Sequence, residues 1–340
     1  MGIYLQRRVT HRVLLFELHR PARYPEGPPG YMPRTRHFLV KPPGNSNRNY
    51  NASIRRTNGG CTVTLLDEVD SLYVDPRIML GSGFTTEETR EESMKIIERS
   101  YNTKEHGIAG FLAYPERKEP GPALFLIHPK GGLGEYIKTE TRKFAKQGYS
   151  TFAINVFEQL GYPAATHIET GSQIQAKTTD PEFTRVLTEG WRHLLAQPHV
   201  NKERVAVCGY CMGGRIAIHF VAATPQVRAF VGYYPTVRDE PETELRPVHP
   251  SKAARKIRCP SIVLYGAEDV TTVIPVQDKM MYAFRENGQP LEWHFFPFGG
   301  HGYVDPGAPG YHAHAADLSW PLVTDFMERH LKWNSPSFLE

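Results

Sequence analysis

The sequence predicts an α/β fold, a mostly parallel sheet with helices on both faces, preceded by a basic, irregular N-terminal extension. Three observations carry this. From about residue 104, short apolar runs alternate with amphipathic helical stretches, which implies a largely parallel sheet covered on both sides. One strand runs directly into Gly209-Tyr-Cys211-Met-Gly213 and then into a helix. Two later strands each end in a loop, one carrying Asp269 and the other His301.

In chain order, residues 107–113 and 123–127 are short apolar strands joined by a turn-rich segment, 115–122. Residues 136–146 read as a helix and 150–156 as the next strand. Residues 181–196 form a helix with Phe183, Leu187, Trp191, Leu194 and Leu195 on one face, the spacing of a core-facing stripe. A buried strand at 204–208 and a helix at 212–222 follow. Strands at 229–233 and 261–264, a helix at 274–284, a strand at 291–296 and a helix at 314–331 complete the pattern. The polar, proline-bearing stretch 236–256 reads as a surface excursion between strands.

The N-terminal part differs in composition. Residues 1–60 carry eleven Lys and Arg against two acids, while the remainder carries 29 against 34. Pro21, Pro25, Pro28, Pro29, Pro33, Pro42 and Pro43, with Asn45, Asn47, Asn49 and Asn51, favour turns. A solvated arm is the expected reading there, over a nucleic-acid or lipid contact, because the charges form no tight cluster. One amphipathic helix is expected at about 86–98. The organisation is therefore 1–60 extension, 61–103 lead-in, 104–332 α/β domain and 333–340 tail.

No apolar run reaches the length of a membrane span. The apolar run near the N-terminus is short and interrupted by Glu17, which argues against a secretory signal. Four cysteines in 340 residues make no disulfide framework. A cytoplasmic setting is expected, with organelle targeting through the Arg-rich N-terminus as the alternative.

Gly209-x-Cys211-x-Gly213 between strand and helix is the nucleophile-elbow pattern with cysteine in the serine position. The glycines are needed because strand and helix approach closely around a strained turn. A helix N-terminus favours the thiolate, and the Met212 amide is aimed at a developing oxyanion. Cys208-x-x-Cys211 also has the spacing of a redox motif or half a zinc site. Zinc needs a second ligand pair, which Cys61 and Cys259 do not make, and Cys208 ends an apolar run where it reads as a small core residue. His312-x-His314 with His301 lacks an acid or cysteine to complete a metal set. Asp269, with Glu268 as its rival, and His301 follow the nucleophile in the order Cys, Asp, His, the chain order of the α/β-hydrolase fold. All three lie at carboxyl ends of predicted strands, where open α/β sheets keep their sites.

On these residues, residues 104–332 resemble the dienelactone hydrolase (carboxymethylenebutenolidase-like) family. Gly209-Tyr-Cys-Met-Gly-Gly214 matches its G-Y-C-x-G-G, and His301-Gly-Tyr303, Tyr311 and Ala315-Ala316 match its tail. The resemblance implies a Cys211-Asp269-His301 triad, an oxyanion hole from the amides of Met212 and Lys130, and no cofactor or metal. It also implies two departures. Pro129 stands where the family carries a glutamate near the nucleophile, with Glu135 and Glu158 as candidate substitutes. Asp305 stands where the family's dienelactone enzymes place a carboxylate-binding arginine, so a neutral substrate is expected. His128, Tyr210, Phe298, Tyr303 and Asp305 are candidate pocket residues.

The reading is a hydrolase of a small ester, lactone or thioester acting through an acyl-enzyme. The alternatives are an acyltransferase or lyase of the same fold, and a catalytically silent binding module. The expected partner is a small-molecule substrate rather than nucleic acid or membrane, with a monomer or homodimer as the assembly.

Overall fold

The computed structural model describes residues 95–163 and 167–332 throughout, and N-terminal to them the pairing of five short strands. The chain divides into two units, Met1–Glu91 and Glu92–Glu340. In the first, Thr35–Val40, Tyr50–Thr57 and Gly60–Leu65 form an antiparallel three-stranded sheet. Ile3–Tyr4 pairs antiparallel with Tyr73–Val74. This corrects the reading of residues 1–60 as lacking strand character. Arg, Asn and Ser blur the alternation there, and pairing partners supply what local propensity does not. Asn58-Gly59, between paired Thr57 and Gly60, was the available hairpin signal. The remaining expectations for residues 1–94, the order of the basic arm among them, lie outside the described residues, as does the tail at 333–340.

The second unit holds eight strands, β1 (Ile96–Tyr101), β2 (Gly110–Pro115), β3 (Gly121–Ile127), β4 (Ser150–Ile154), β5 (Val200–Tyr210), β6 (Ala229–Tyr233), β7 (Ser261–Gly266) and β8 (Leu291–Phe296). They form one sheet in the order β8-β7-β6-β5-β3-β4-β2-β1. β2 runs antiparallel to both β1 and β4, and the other pairs are parallel. The described part of the helix expected at 86–98 is thus corrected to the edge strand β1. Its outward Glu98 is held by Arg142, 2.9 Å away, and charged side chains on an edge discourage further pairing.

Nine described helices connect the strands. They are α1 (Thr103–His106), α2 (Glu135–Lys146), α3 (Val156–Gln159), α4 (Ile168–Gln175), α5 (Asp180–Leu195), α6 (Met212–Ala223), α7 (Pro250–Ala254), α8 (Ile274–Arg285) and α9 (Ala313–Leu331). α5 starts where its sequence says it should. Thr179 and Glu182 cap each other reciprocally and Pro181 sits in the first turn, each satisfying or removing an orphan donor. Its buried face is Phe183, Val186, Leu187, Gly190, Trp191 and Leu194, which holds four of the five residues of the expected stripe and leaves Leu195 partly buried at its edge. Full burial of one such Leu or Phe contributes about 1.5–3 kcal/mol.

Strands β3, β6 and β7 and the second half of β5, from Val205 on, are almost continuously apolar and buried, as parallel strands covered on both faces must be. Their register aligns the exits. Gly209 is opposite Ile127 and Gly232, and Tyr210 is opposite Tyr233. The loops leaving β3, β5, β6, β7 and β8 therefore share one edge of the sheet. Among the described residues no helix is long and apolar enough to cross a membrane.

Candidate active site

Cys211 stands between β5 and α6 with φ 55° and ψ −120°, a left-handed conformation that is strained for a residue with a Cβ. The turn is tied on both sides. The Cys211 amide donates to the Tyr233 carbonyl at 3.0 Å, and its carbonyl accepts from the amides of Arg215 at 3.1 Å and Thr236 at 3.0 Å. The flanking glycines are steric necessities. A Cβ on Gly209 would lie 2.5 Å from the Gly213 carbonyl oxygen, and one on Gly213 only 2.4 Å from that of Ile127. Local sterics therefore require glycine on both sides of this turn.

The loop after β3 approaches the sulfur from the other side. His128 is fully buried, and its Nε2 accepts from the Val156 amide at 3.1 Å. Nδ1 must then carry the proton, which it donates to the Pro129 carbonyl at 2.7 Å. Burial pushes His128 down to about 4 against the weaker support of its backbone hydrogen bonds, so it is neutral. In a trans peptide the C=O and N–H point oppositely. Anchoring the Pro129 carbonyl on His128 and on the Gly132 amide (3.0 Å) turns the Lys130 N–H toward Cys211, with which it hydrogen-bonds. α4 presses on the same loop, since a Cβ on Gly171 would lie 1.9 Å from the Lys130 carbonyl oxygen.

His301 follows β8, with Nε2 2.9 Å from Cys211 Sγ and Nδ1 2.8 Å from Asp269 Oδ2. Asp269 is buried. Its other oxygen, Oδ1, accepts from the amides of Thr271 and Thr272, both at 2.8 Å. The carboxylate therefore caps its own loop with one oxygen and holds the imidazole with the other. Glu268 points to solvent.

Electrostatics couple the pair. Burial, the largest influence on Cys211, raises its pKa, but hydrogen bonds from His301, Thr236 and the Lys130 amide, with the imidazolium charge, bring it to about 7. For His301 burial again opposes the charge, and the hydrogen bond to Asp269 together with the thiolate raises it to about 10. A cysteine shifted down and a histidine shifted up together favour a thiolate–imidazolium pair between those values.

The structure brings together Cys211, His301, Asp269 and the Lys130 amide, and starts α6 at Met212. Several other candidates are buried away from solvent. Besides His128, Tyr210 is fully buried, stacked 4.8 Å from Tyr233 and donating to Glu140 at 3.1 Å. Tyr303 is fully buried between Tyr234 (5.5 Å) and Phe296 (5.2 Å). These three are corrected to supporting residues: strand and loop neighbours of a site alternate between facing it and facing the core. Phe298 is half-buried against His312 and His314, 4.7 and 5.4 Å away. Asp305 is half-buried and accepts from the Gly307 amide at 2.8 Å. Its charge lies close enough to Tyr234 to add to the effect of burial and of Cys211 on that phenol.

Neither substitute for the glutamate reaches the thiol. Exposed Glu135 pairs with Arg142, and Glu158 accepts from the Thr103 amide at 2.9 Å. Arg215 is committed to Asp180 at 2.5 and 3.0 Å. Cys208 is fully buried, with its thiol pushed well up by burial. His312 accepts from the Ala315 amide at 3.3 Å, capping α9. Among the described residues no three His, Cys, Asp or Glu are grouped to hold a metal.

Sequence reasoning missed Thr236. Its hydroxyl lies 3.2 Å from Cys211 Sγ and 3.3 Å from His301 Nε2. The residue opens what read as a surface excursion. Residues 238–245 are exposed, but Thr236 and Val237 are buried. The usable signal was positional: β6 lies between the strands that lead to Cys211 and Asp269, so its first exit residues must sit between them.

A sheet of this order, with the Cys-His-Asp contacts at its carboxyl edge, defines an α/β-hydrolase-fold protein. Residues 108–331 match the Dienelactone hydrolase family, and the chain belongs to that family of hydrolases. A "Putative carboxymethylenebutenolidase" of Methylorubrum extorquens is 26% identical over 225 residues, covering 66% of this chain and 77% of that protein. One of the same name from Yersinia pestis is 27% identical over 228 residues, covering 66% and 84%. Among solved structures, a "Putative Dienelactone Hydrolase" from Klebsiella pneumoniae superposes with a TM-score of 0.63 at 23% identity, over 69% of this chain and 99% of that one. A dienelactone hydrolase-like promiscuous phosphotriesterase from metagenomic libraries gives 0.57 at 20%, over 70% and 99%. These structural likenesses establish the fold.

Proposed function

We propose that this protein hydrolyses a small, neutral ester, lactone or thioester through a covalent acyl-enzyme on Cys211. The observation that carries the reading is the unbroken chain of 2.9 Å from Sγ to Nε2 and 2.8 Å from Nδ1 to the Asp269 carboxylate. The thiolate attacks the carbonyl carbon, and the amides of Lys130 and Met212 receive the oxyanion. His301 gives its Nε2 proton to the departing alkoxide or thiolate as the tetrahedral intermediate collapses to a thioester. Neutral Nε2 then takes a proton from water as it adds to the thioester. The second tetrahedral intermediate expels the Cys211 thiolate, and the carboxylic acid leaves. Asp269 keeps the imidazole in one tautomer and stabilises its cation.

Neutral substrates are favoured because Asp305 repels a carboxylate near His301. In a screen of esters, lactones and thioesters, the neutral members are expected to be turned over to free acid and those with an added carboxylate to be poor. Asp305→Arg is expected to raise kcat/KM for the anionic members relative to the neutral ones by about two- to fivefold, the scale of one ion pair near the surface. Absence of acid release from every neutral substrate would overturn the reading. A parent preference for anionic lactones would overturn its substrate class alone.

A further inference from the structure

We propose that Thr236 is a positioning residue that holds the catalytic thiolate, its hydroxyl donating to Cys211 Sγ while His301 Nε2–H shares its proton between Sγ and Oγ1. The inference deepens the acyl-enzyme reading and rests on it.

The three atoms form a closed triangle, with Sγ–Nε2 at 2.9 Å, Sγ–Oγ1 at 3.2 Å and Oγ1–Nε2 at 3.3 Å. Proton counting sets the direction of each bond. In the ion pair, Nε2 carries a proton and cannot accept, and the thiolate carries none and cannot donate. The hydroxyl's one proton therefore goes to sulfur, and its lone pair faces Nε2–H. In the neutral pair Nε2 has a free lone pair, and the hydroxyl can turn to it instead. The hydroxyl thus adds a bond to the thiolate that the protonated thiol does not need, and a bond to the charged form favours that form.

The backbone keeps this hydroxyl in place. The Thr236 amide donates to the carbonyl of Cys211 itself, at 3.0 Å. The preceding Pro235 carbonyl accepts from the Tyr265 hydroxyl at 2.8 Å and from the Thr272 hydroxyl at 3.2 Å. The following Val237 amide donates to the same Thr272 hydroxyl at 3.1 Å. Thr272 in turn donates its amide to Asp269 Oδ1. One set of bonds therefore links the acid's loop, the Thr236 turn and the nucleophile. Thr236 is β-branched, so few χ1 rotamers are open to it, and it is buried, so water offers its hydroxyl little alternative.

The other titratable groups facing the sulfur are few. His301, from the β8 exit, carries Asp269 from the β7 exit behind it. Tyr234, from the β6 exit, has its phenol pushed well up by burial and by Cys211, and stays neutral. The loop after β3 contributes the Lys130 amide rather than a carboxylate. A side-chain hydroxyl is consequently the group whose removal isolates one thiolate bond without altering any charge.

The test compares the intact chain with Thr236→Val, Thr236→Ser and Thr236→Ala. Thiolate formation is followed by its ultraviolet absorbance and by iodoacetamide alkylation of Cys211 across pH, with kcat and KM measured alongside. Thr236→Val is expected to raise the apparent pKa for thiolate formation by about one unit, equal to about tenfold less thiolate below that pKa. kcat should fall in proportion at low pH and recover as pH rises, with KM little changed. Thr236→Ser is expected to restore the parent profile. If valine disturbs folding, alanine should give the same shift. Profiles for the valine or alanine variant that coincide with the parent's overturn the proposal. So does a serine variant that behaves like valine. Because alkylation reads the thiolate without turnover, these outcomes stand apart from a failure of the acyl-enzyme reading, which would appear as activity surviving in Cys211→Ala.

Discussion

Cys211→Ala is expected to lower kcat by roughly 10⁴–10⁶-fold, because nucleophile, base and acid act as a unit and loss of one removes most of what all three provide. The fold should persist. The glycines of the elbow and the tie of the Cys211 backbone to Tyr233 and Thr236 do not involve the thiol. Iodoacetamide should label Cys211 in the parent at neutral pH and leave Cys208 unmodified. The two thiols differ in physical setting as well as in position. Cys211 is half-buried and brought to about 7 by His301 and its other donors against its own burial. Cys208 is fully buried, and burial pushes its thiol well above the ordinary range. Equal labelling of both, checked by peptide mass mapping, or an alanine variant of near-parent activity would remove the elbow assignment.

The second large effect is expected at Asp269. Asp269→Asn should reduce kcat by about 10⁴-fold, the scale seen when an amide holds the histidine in the wrong tautomer. In the parent, kcat/KM should rise with pH through about 7, as Cys211 loses its proton. It should fall through about 10, as His301 loses the proton it must give to the leaving group. Burial opposes both charges, so the plateau between these limits depends on the partners. Without the Asp269 carboxylate, the His301 limb should move down and the Cys211 limb up, and the plateau should collapse. An asparagine variant with the parent's two limbs would show that the carboxylate only caps its loop through Thr271 and Thr272.

Much of the site was legible because its chemistry is enforced locally. Cys211 at positive φ between strand and helix demands Gly209 and Gly213, and those residues can be read directly. Asp269 and His301 were legible for a topological reason, since strand exits in a parallel sheet fall on one edge. What local sequence does not carry is which way a neighbour faces. Tyr210 adjoins Cys211 in sequence, yet lies in the sheet against Tyr233 and Glu140. His128 looked like a pocket residue, and it instead fixes the peptide that presents the Lys130 amide. Thr236 was hidden because its contacts come from strand order: β6 between β5 and β7. In β1, Ile96, Ile97 and Glu98 fell inside the helix expected at 86–98, and only pairing with β2 makes the segment a strand. The strands before residue 66 were masked in the same way by Arg and Asn.

The central claim is that a substrate acyl group passes through the sulfur of Cys211. Rapid acid quench during turnover of a neutral ester, followed by peptide mass spectrometry, tests it directly. The account predicts an added acyl mass on the peptide carrying Cys211. It should form within the first turnover, be cleaved by hydroxylamine as a thioester is, and be absent from Cys211→Ala. An acyl mass on another residue, or steady turnover with an unmodified Cys211 peptide at every quench time and a fully active alanine variant, would contradict it.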